Sequence, residues 1–109
     1  MNAPDGITVD GNRIYVSSCG GGYIERFLKK EVGNEAPVGV ISGRHSKIRT
    51  CVEGVAVGSK GRVYGVTLPS HVSILGFRAT ANGDARPVTR IAGPNTLLEF
   101  PPFIYVTGE

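Results

Sequence analysis

The sequence predicts an all-β chain built from two successive copies of a four-stranded antiparallel unit, and three observations carry that prediction. A strand core, Asn12-Arg13-Ile14-Tyr15-Val16, comes round again as Gly61-Arg62-Val63-Tyr64-Gly65-Val66 at the same place in a longer pattern. Glycine, proline and aromatic positions recur with it at nearly fixed spacing. The 16 glycines and 7 prolines divide 109 residues with turns and leave little room for long helices. A chain of this length is expected to form one small domain.

The first unit spans about 4–43. Pro4-Asp5-Gly6 leads into a short strand, Ile7-Thr8-Val9, and Asp10-Gly11-Asn12 supplies a turn, because glycine tolerates positive φ and Asp or Asn can bond nearby backbone. A second strand follows from Arg13 to Ser17. The loop Ser18-Cys19-Gly20-Gly21-Gly22 precedes a third strand at Tyr23-Ile24-Glu25-Arg26-Phe27, and Val38-Gly39-Val40-Ile41 gives a fourth, closed by Ser42-Gly43. Ile24 to Val32 also partly matches a helical period. The run is short and lacks a clean cap, so strand is favoured there.

The second unit, about 52–93, repeats the first. Glu53-Gly54-Val55-Ala56-Val57 matches Asp5-Gly6-Ile7-Thr8-Val9 at a spacing of 48, and Arg62-Val63-Tyr64 matches Arg13-Ile14-Tyr15 at 49. Beyond that the spacing is 50: Phe77 answers Phe27, Gly83-Asp84 answers Gly33-Asn34, Pro87-Val88 answers Pro37-Val38, and Ile91-Ala92-Gly93 answers Ile41-Ser42-Gly43. The length changes fall in turns, where insertion is cheap. A third unit is expected to begin at about 100–106, with Pro101-Pro102-Phe103-Ile104-Tyr105-Val106. Four short strands per unit of this length is the arithmetic of a β-propeller blade. A β-sandwich also packs seven or eight strands into such a chain, but has no reason to repeat glycine and proline positions.

The pattern from Pro4-Asp5-Gly6-Ile7-Thr8-Val9-Asp10 to Gly11-Asn12-Arg13-Ile14-Tyr15-Val16 resembles the opening of an NHL-type propeller blade. The stretches Gly33 to Gly43 and Asn82 to Thr96 are similar to bacterial propeller repeats of the same broad group. The resemblance covers nearly the whole chain. It implies a six-bladed parent, with roles ranging from protein or RNA scaffolding to calcium-dependent hydrolysis in the gluconolactonase and regucalcin branch. Gly6 and Gly54 correspond to the family's first-strand glycine, Asp10 to its turn acid, and Tyr15 and Tyr64 to its second-strand aromatic. Gly58 stands where the second unit should carry the turn acid. The lactonase metal site takes ligands from several blades, and none of them is placed here.

Two blades alone leave a packing face open at each end. About 500 Å² of wet apolar surface on each would forfeit on the order of 25 kcal/mol, more than a domain's whole stability. The chain is therefore expected to self-associate, for instance as a trimer giving six blades, or to belong with missing blades.

Candidate chemistry is sparse. Loops after the second and fourth strands should emerge on one side of the disc, which would place His71, Cys19 and the cluster Arg44, His45, Lys47 and Arg49 on one rim. That cluster is the best binding candidate, for phosphates or an acidic protein or ligand, through charge and guanidinium forks; the bland alternative, a solvated loop, is favoured. His45 or His71 with Cys19 or Cys51 lacks a third group for catalysis or metal binding. Asp10 with Asn12 reads as a turn rather than a calcium loop, and Gly20-Gly21-Gly22 as a connector rather than a phosphate loop. Tyr15, Tyr64, Phe27 and Phe77 read as packing residues. No catalytic residue, metal or cofactor is assigned.

The formal charge of +3 is a weak, evenly spread excess that gives no reason to expect nucleic acid. No secretory signal and no membrane span are visible, and the compartment stays open. Cys19 and Cys51 could pair, but two free thiols are favoured. The leading function is a non-enzymatic repeat module for self-assembly or for protein or ligand binding. The alternative is a piece of a calcium-dependent lactonase-like hydrolase.

Overall fold

The computed structural model describes residues 4–30, 32–68, 72–96 and 98. His71 and the expected third-unit start at 100–106 lie outside the described residues. The chain is all-β. Strands β1 (Pro4–Asp10), β2 (Arg13–Ser18), β3 (Tyr23–Leu28) and β4 (Gly39–Ile41) form one four-stranded antiparallel sheet in sequence order. Strands β5 (Cys51–Val57), β6 (Val63–Leu68), β7 (Ser73–Phe77) and β8 (Thr89–Ala92) form a second. Neither sheet closes on itself. Short 3-10 turns at Arg44–Ser46 and Pro94–Thr96 follow the fourth strand of each. The helical alternative over Ile24 to Val32 gives way to strand, because every residue from Tyr23 to Leu28 pairs with β2.

The repeat holds at the level of register. Ile14 faces Phe27 where Val63 faces Phe77, and Ile24 faces Ile41 where Ile74 faces Ile91. Each first strand carries an irregularity at the same point, between Pro4 and Gly6 and between Val52 and Gly54. Such bulges bend and twist a strand. Gly6 is required there by proximity: a Cβ on it would lie 2.8 Å from the Ser17 Oγ and 3.2 Å from the Glu53 carbonyl oxygen. The first strands of the two sheets thus approach backbone to backbone.

Directly paired residues of antiparallel strands share a face, so the registers sort each sheet into two sides. One side bears Ile7, Val9, Ile14, Glu25, Phe27 and Val40 in the first sheet, and Val55, Val57, Val63, Leu75, Phe77 and Arg90 in the second. We call this the Phe face. The opposite Tyr face bears Tyr15, Ile24 and Ile41 in the first sheet and Tyr64, Ile74 and Ile91 in the second. The Tyr face of the first sheet packs on the Phe face of the second. Tyr15, Ile24 and Ile41 meet Val52, Val55, Val63, Leu75 and Phe77 in one buried cluster, with Ile48 of the connector closing one margin. Each such aliphatic or aromatic side chain contributes roughly 1.5–3 kcal/mol by burial. Tyr15 and Phe77 are the largest side chains fully enclosed among the described residues, whereas their repeat counterparts Tyr64 and Phe27 are half-buried.

Polar ties reinforce the outer edge. Gly83 N–H donates to the Val40 carbonyl, Ser42 N–H donates to the Gly83 carbonyl, and Val40 N–H donates to Asn82 Oδ1 at 2.9 Å. The turn between β7 and β8 therefore acts as a clasp on β4.

The two free thiols favoured from the sequence are corrected: Cys19 and Cys51 form a disulfide. Cys19, just past β2, makes an isolated antiparallel bridge with Cys51, the first residue of β5, while Gly20 N–H donates to the Thr50 carbonyl at 2.6 Å. Stacking the sheets brings the two cysteines together, and nothing in a separation of 32 residues reveals it.

Candidate functional site

The β4–β5 connector, residues 42–50, is short and tightly specified. Gly43 sits at φ 114°, a backbone region that favours glycine, and a Cβ there would come 2.5 Å from Asp84 Oδ1. After the 3-10 turn, Lys47 takes a left-handed conformation at φ 68°. The Ser46 hydroxyl donates back to the Gly43 carbonyl and accepts from Ile48 N–H, and Ile48 is buried. Alternation around these anchors leaves Arg44, Lys47 and Arg49 exposed.

These three cations do come together, and Arg90 joins them. With Ile48 and Thr50 they line a cleft of about 610 Å³ between the connector and β8. No carboxylate is among its described lining residues. Arg90 was not singled out from sequence, although a signal existed: it stands at the repeat position of Val40, where a strand residue of the Phe face should be apolar.

His45 departs from the expected cluster. Its backbone N–H donates to Asp84 Oδ1 and its Nδ1 bonds Asp84 Oδ2, each at 2.6 Å, which ties the connector to the β7–β8 turn. Hydrogen bonding from the His45 side chain, helped by its backbone and charge, holds the Asp84 carboxyl below its ordinary range. Both side chains remain nearly half exposed, at 46% and 44%. The pair is thus a structural clasp beside the cleft rather than part of its lining.

The loop Ser18 to Gly22 does neighbour the connector, as the rim argument expected, through the Gly20 to Thr50 bond and the disulfide. Cys19 is consequently no nucleophile. Among the described residues, one group of metal-ligand side chains comes close together, Asp5, Cys19 and Cys51. Two of its three members are bonded to each other, which leaves a single carboxylate. Asp10 pairs with Arg13 across a turn in which Gly11 takes φ 59°, a hairpin rather than a calcium loop. No clear catalytic cluster is present among the described residues, and none of their helices is long and apolar enough to cross a membrane.

A second feature lies on the sheet faces that have no neighbouring sheet among the described residues. On the Phe face of the first sheet Ile7 is 69% and Val9 53% exposed, beside a hollow of about 350 Å³ lined by Pro4, Asp5, Gly6, Ile7 and Val16. On the Tyr face of the second sheet Ile91 is 44% exposed, and Tyr64 and Ile74 are half-buried.

No protein-family model matches the chain, and no curated protein matches it.

Proposed function

We propose that the chain is a non-enzymatic β-propeller repeat module, with blades over about 4–43 and 52–93, that completes its stack by binding further copies of itself. One observation carries this reading. The Phe face of the first sheet, on which Ile7 and Val9 are exposed, and the Tyr face of the second, on which Ile91 is exposed, are the repeat equivalents of the two surfaces that already pack together inside the chain. Tyr64, Ile74 and Ile91 stand where Tyr15, Ile24 and Ile41 stand, and Ile7, Val9, Ile14 and Phe27 stand where Val55, Val57, Val63 and Phe77 stand.

The contact so formed is heterologous, head to tail, and closes when the rotation per sheet completes a circle. Three copies would supply the six sheets that the NHL-type resemblance implies. The turn at Gly33-Asn34 supports the same geometry. Gly33 is exposed at φ 81°, close to the φ 65° of Gly83, which clasps β4 within the chain. In an assembly Gly33 would clasp β8 of the next copy.

Light scattering across a concentration series tests this. Multimers that dissociate on dilution, with Ile91→Asp monomeric but folded, are the expected result. A wild-type chain that stays monomeric and unfolds cooperatively at every concentration removes the proposal. The calcium-dependent hydrolase reading gains no specific support from the described residues; lactone turnover together with calcium-dependent stabilisation would reinstate it.

A further inference from the structure

We propose that the cleft between the β4–β5 connector and β8 is a binding site for a compact oligophosphate, recognised through its phosphate chain. This goes beyond self-assembly and does not depend on it.

The lining sets the chemistry. Arg44, Lys47, Arg49 and Arg90 contribute four cationic groups, Thr50 a hydroxyl, and Ile48 an apolar floor. Guanidinium groups bind phosphate oxygens in pairs through a planar fork, and a lysine adds a mobile point charge. Four cations crowded around one opening repel each other unless an anion lies between them. A single orthophosphate fills only a small part of a cleft of about 610 Å³. A chain of linked phosphates extends the negative charge over that distance. Among the described residues the lining contains no aromatic ring, so they offer a nucleobase no stacking surface.

The fold does not demand these charges. The connector after β8 repeats the backbone design of the first: Gly93 at φ 106° answers Gly43 at 114°, and the Thr96 hydroxyl donates to the Gly93 carbonyl and accepts from Leu98 N–H, as Ser46 does with Gly43 and Ile48. At the spacing of 50, however, Arg44, Lys47 and Arg49 correspond to Pro94, Leu97 and Glu99. The scaffold is shared and the cations belong to the first connector alone. Arg90 likewise replaces the apolar Val40 of the first unit. The connector is also held in place before any ligand arrives, by the His45 to Asp84 bonds, the buried Ile48 and the Cys19–Cys51 disulfide. Such preorganisation lowers the ordering cost of binding. The Asp84 carboxylate is engaged by His45 rather than by the cations of the cleft.

Isothermal titration calorimetry on the full chain, with inorganic tripolyphosphate and orthophosphate as probes at low and raised sodium chloride, tests the site. Tripolyphosphate should bind, weaken as salt rises, and exceed orthophosphate by about tenfold or more. Arg90→Gln alone, and Arg44→Gln with Lys47→Gln and Arg49→Gln together, should each lower tripolyphosphate affinity by about tenfold or more, whereas Lys60→Gln, in the β5–β6 turn, should leave it unchanged. Arg90 is exposed on β8, so its variant decides the matter even if the triple variant fails to fold. The proposal is overturned if folded wild-type protein does not bind tripolyphosphate at low salt, or if Arg90→Gln and Lys60→Gln behave alike. Binding of single-stranded DNA without binding of tripolyphosphate would overturn it in favour of a polynucleotide site. None of these outcomes depends on the oligomeric state, so the self-assembly reading stands or falls separately.

Discussion

Asp84 accepts two hydrogen bonds from His45, one from its backbone N–H and one from Nδ1, and through them the β7–β8 turn of the second sheet holds the connector that leaves the first. Because those bonds favour the ionised carboxyl, its folded pKa lies below the ordinary value of 3.8. The resulting stabilisation is complete above the unfolded pKa and is lost as pH falls through the lower folded value. Asp84→Asn should therefore melt below the wild type at neutral pH, with the difference shrinking once the pH drops below about 4. Melting curves from pH 7 to pH 2 check this; a difference that grew with acid would contradict it. The effect should be small, because an exposed pair is screened by solvent.

The Cys19–Cys51 disulfide closes a loop with a separation of 32 residues and joins the two sheets near their first strands. A cross-link over that span restricts the unfolded chain by roughly 3–4 kcal/mol in the loop-entropy description. Reduction, or Cys51→Ala with Cys19→Ala, should lower urea stability by about that amount with the strand content retained. Circular dichroism and urea titration with and without reductant provide the measurement. An unchanged midpoint would show that the bond carries no stability.

Phe77 is fully buried between the sheets, whereas its repeat partner Phe27 is half-buried on a face with no sheet against it among the described residues. Phe77→Ala should cost about 3–5 kcal/mol at any protein concentration, as large-to-small changes in cores do. Phe27→Ala should cost clearly less in dilute protein, and its effect should grow with concentration as copies cover that face. Equal, concentration-independent losses would mean that the two faces are not equivalent surfaces of an assembly.

Glu25 occupies the repeat position of Leu75, is only 6% exposed, and has an Oε1 with no hydrogen-bond partner among the described residues. A buried polar atom left unpartnered costs about 1–3 kcal/mol. Glu25→Leu should accordingly raise thermal stability, and should strengthen self-association by making the Phe face of the first sheet match that of the second. Thermal melts and light scattering read the two effects separately. A destabilised Glu25→Leu would show that the carboxylate has a partner that matters.

Much of this molecule was legible in the order of its residues. Alternating short apolar runs, turn glycines and a recurring Arg-aliphatic-Tyr core are local signals, and local backbone preference acts over only a few residues. They therefore located eight strands, the equivalence of Phe27 with Phe77, and the first-strand positions of Gly6 and Gly54. The cations Arg44, Lys47 and Arg49 were visible as a run. What stacking decided lay beyond that range. Only the packing of one sheet's Tyr face on the next sheet's Phe face set Arg90 across a cleft from that run, turned His45 away to Asp84, and brought Cys19 onto Cys51. These pairings depend on where distant backbones come to rest, and that is fixed by the shape of the buried surface shared by the two sheets rather than by any short stretch of sequence.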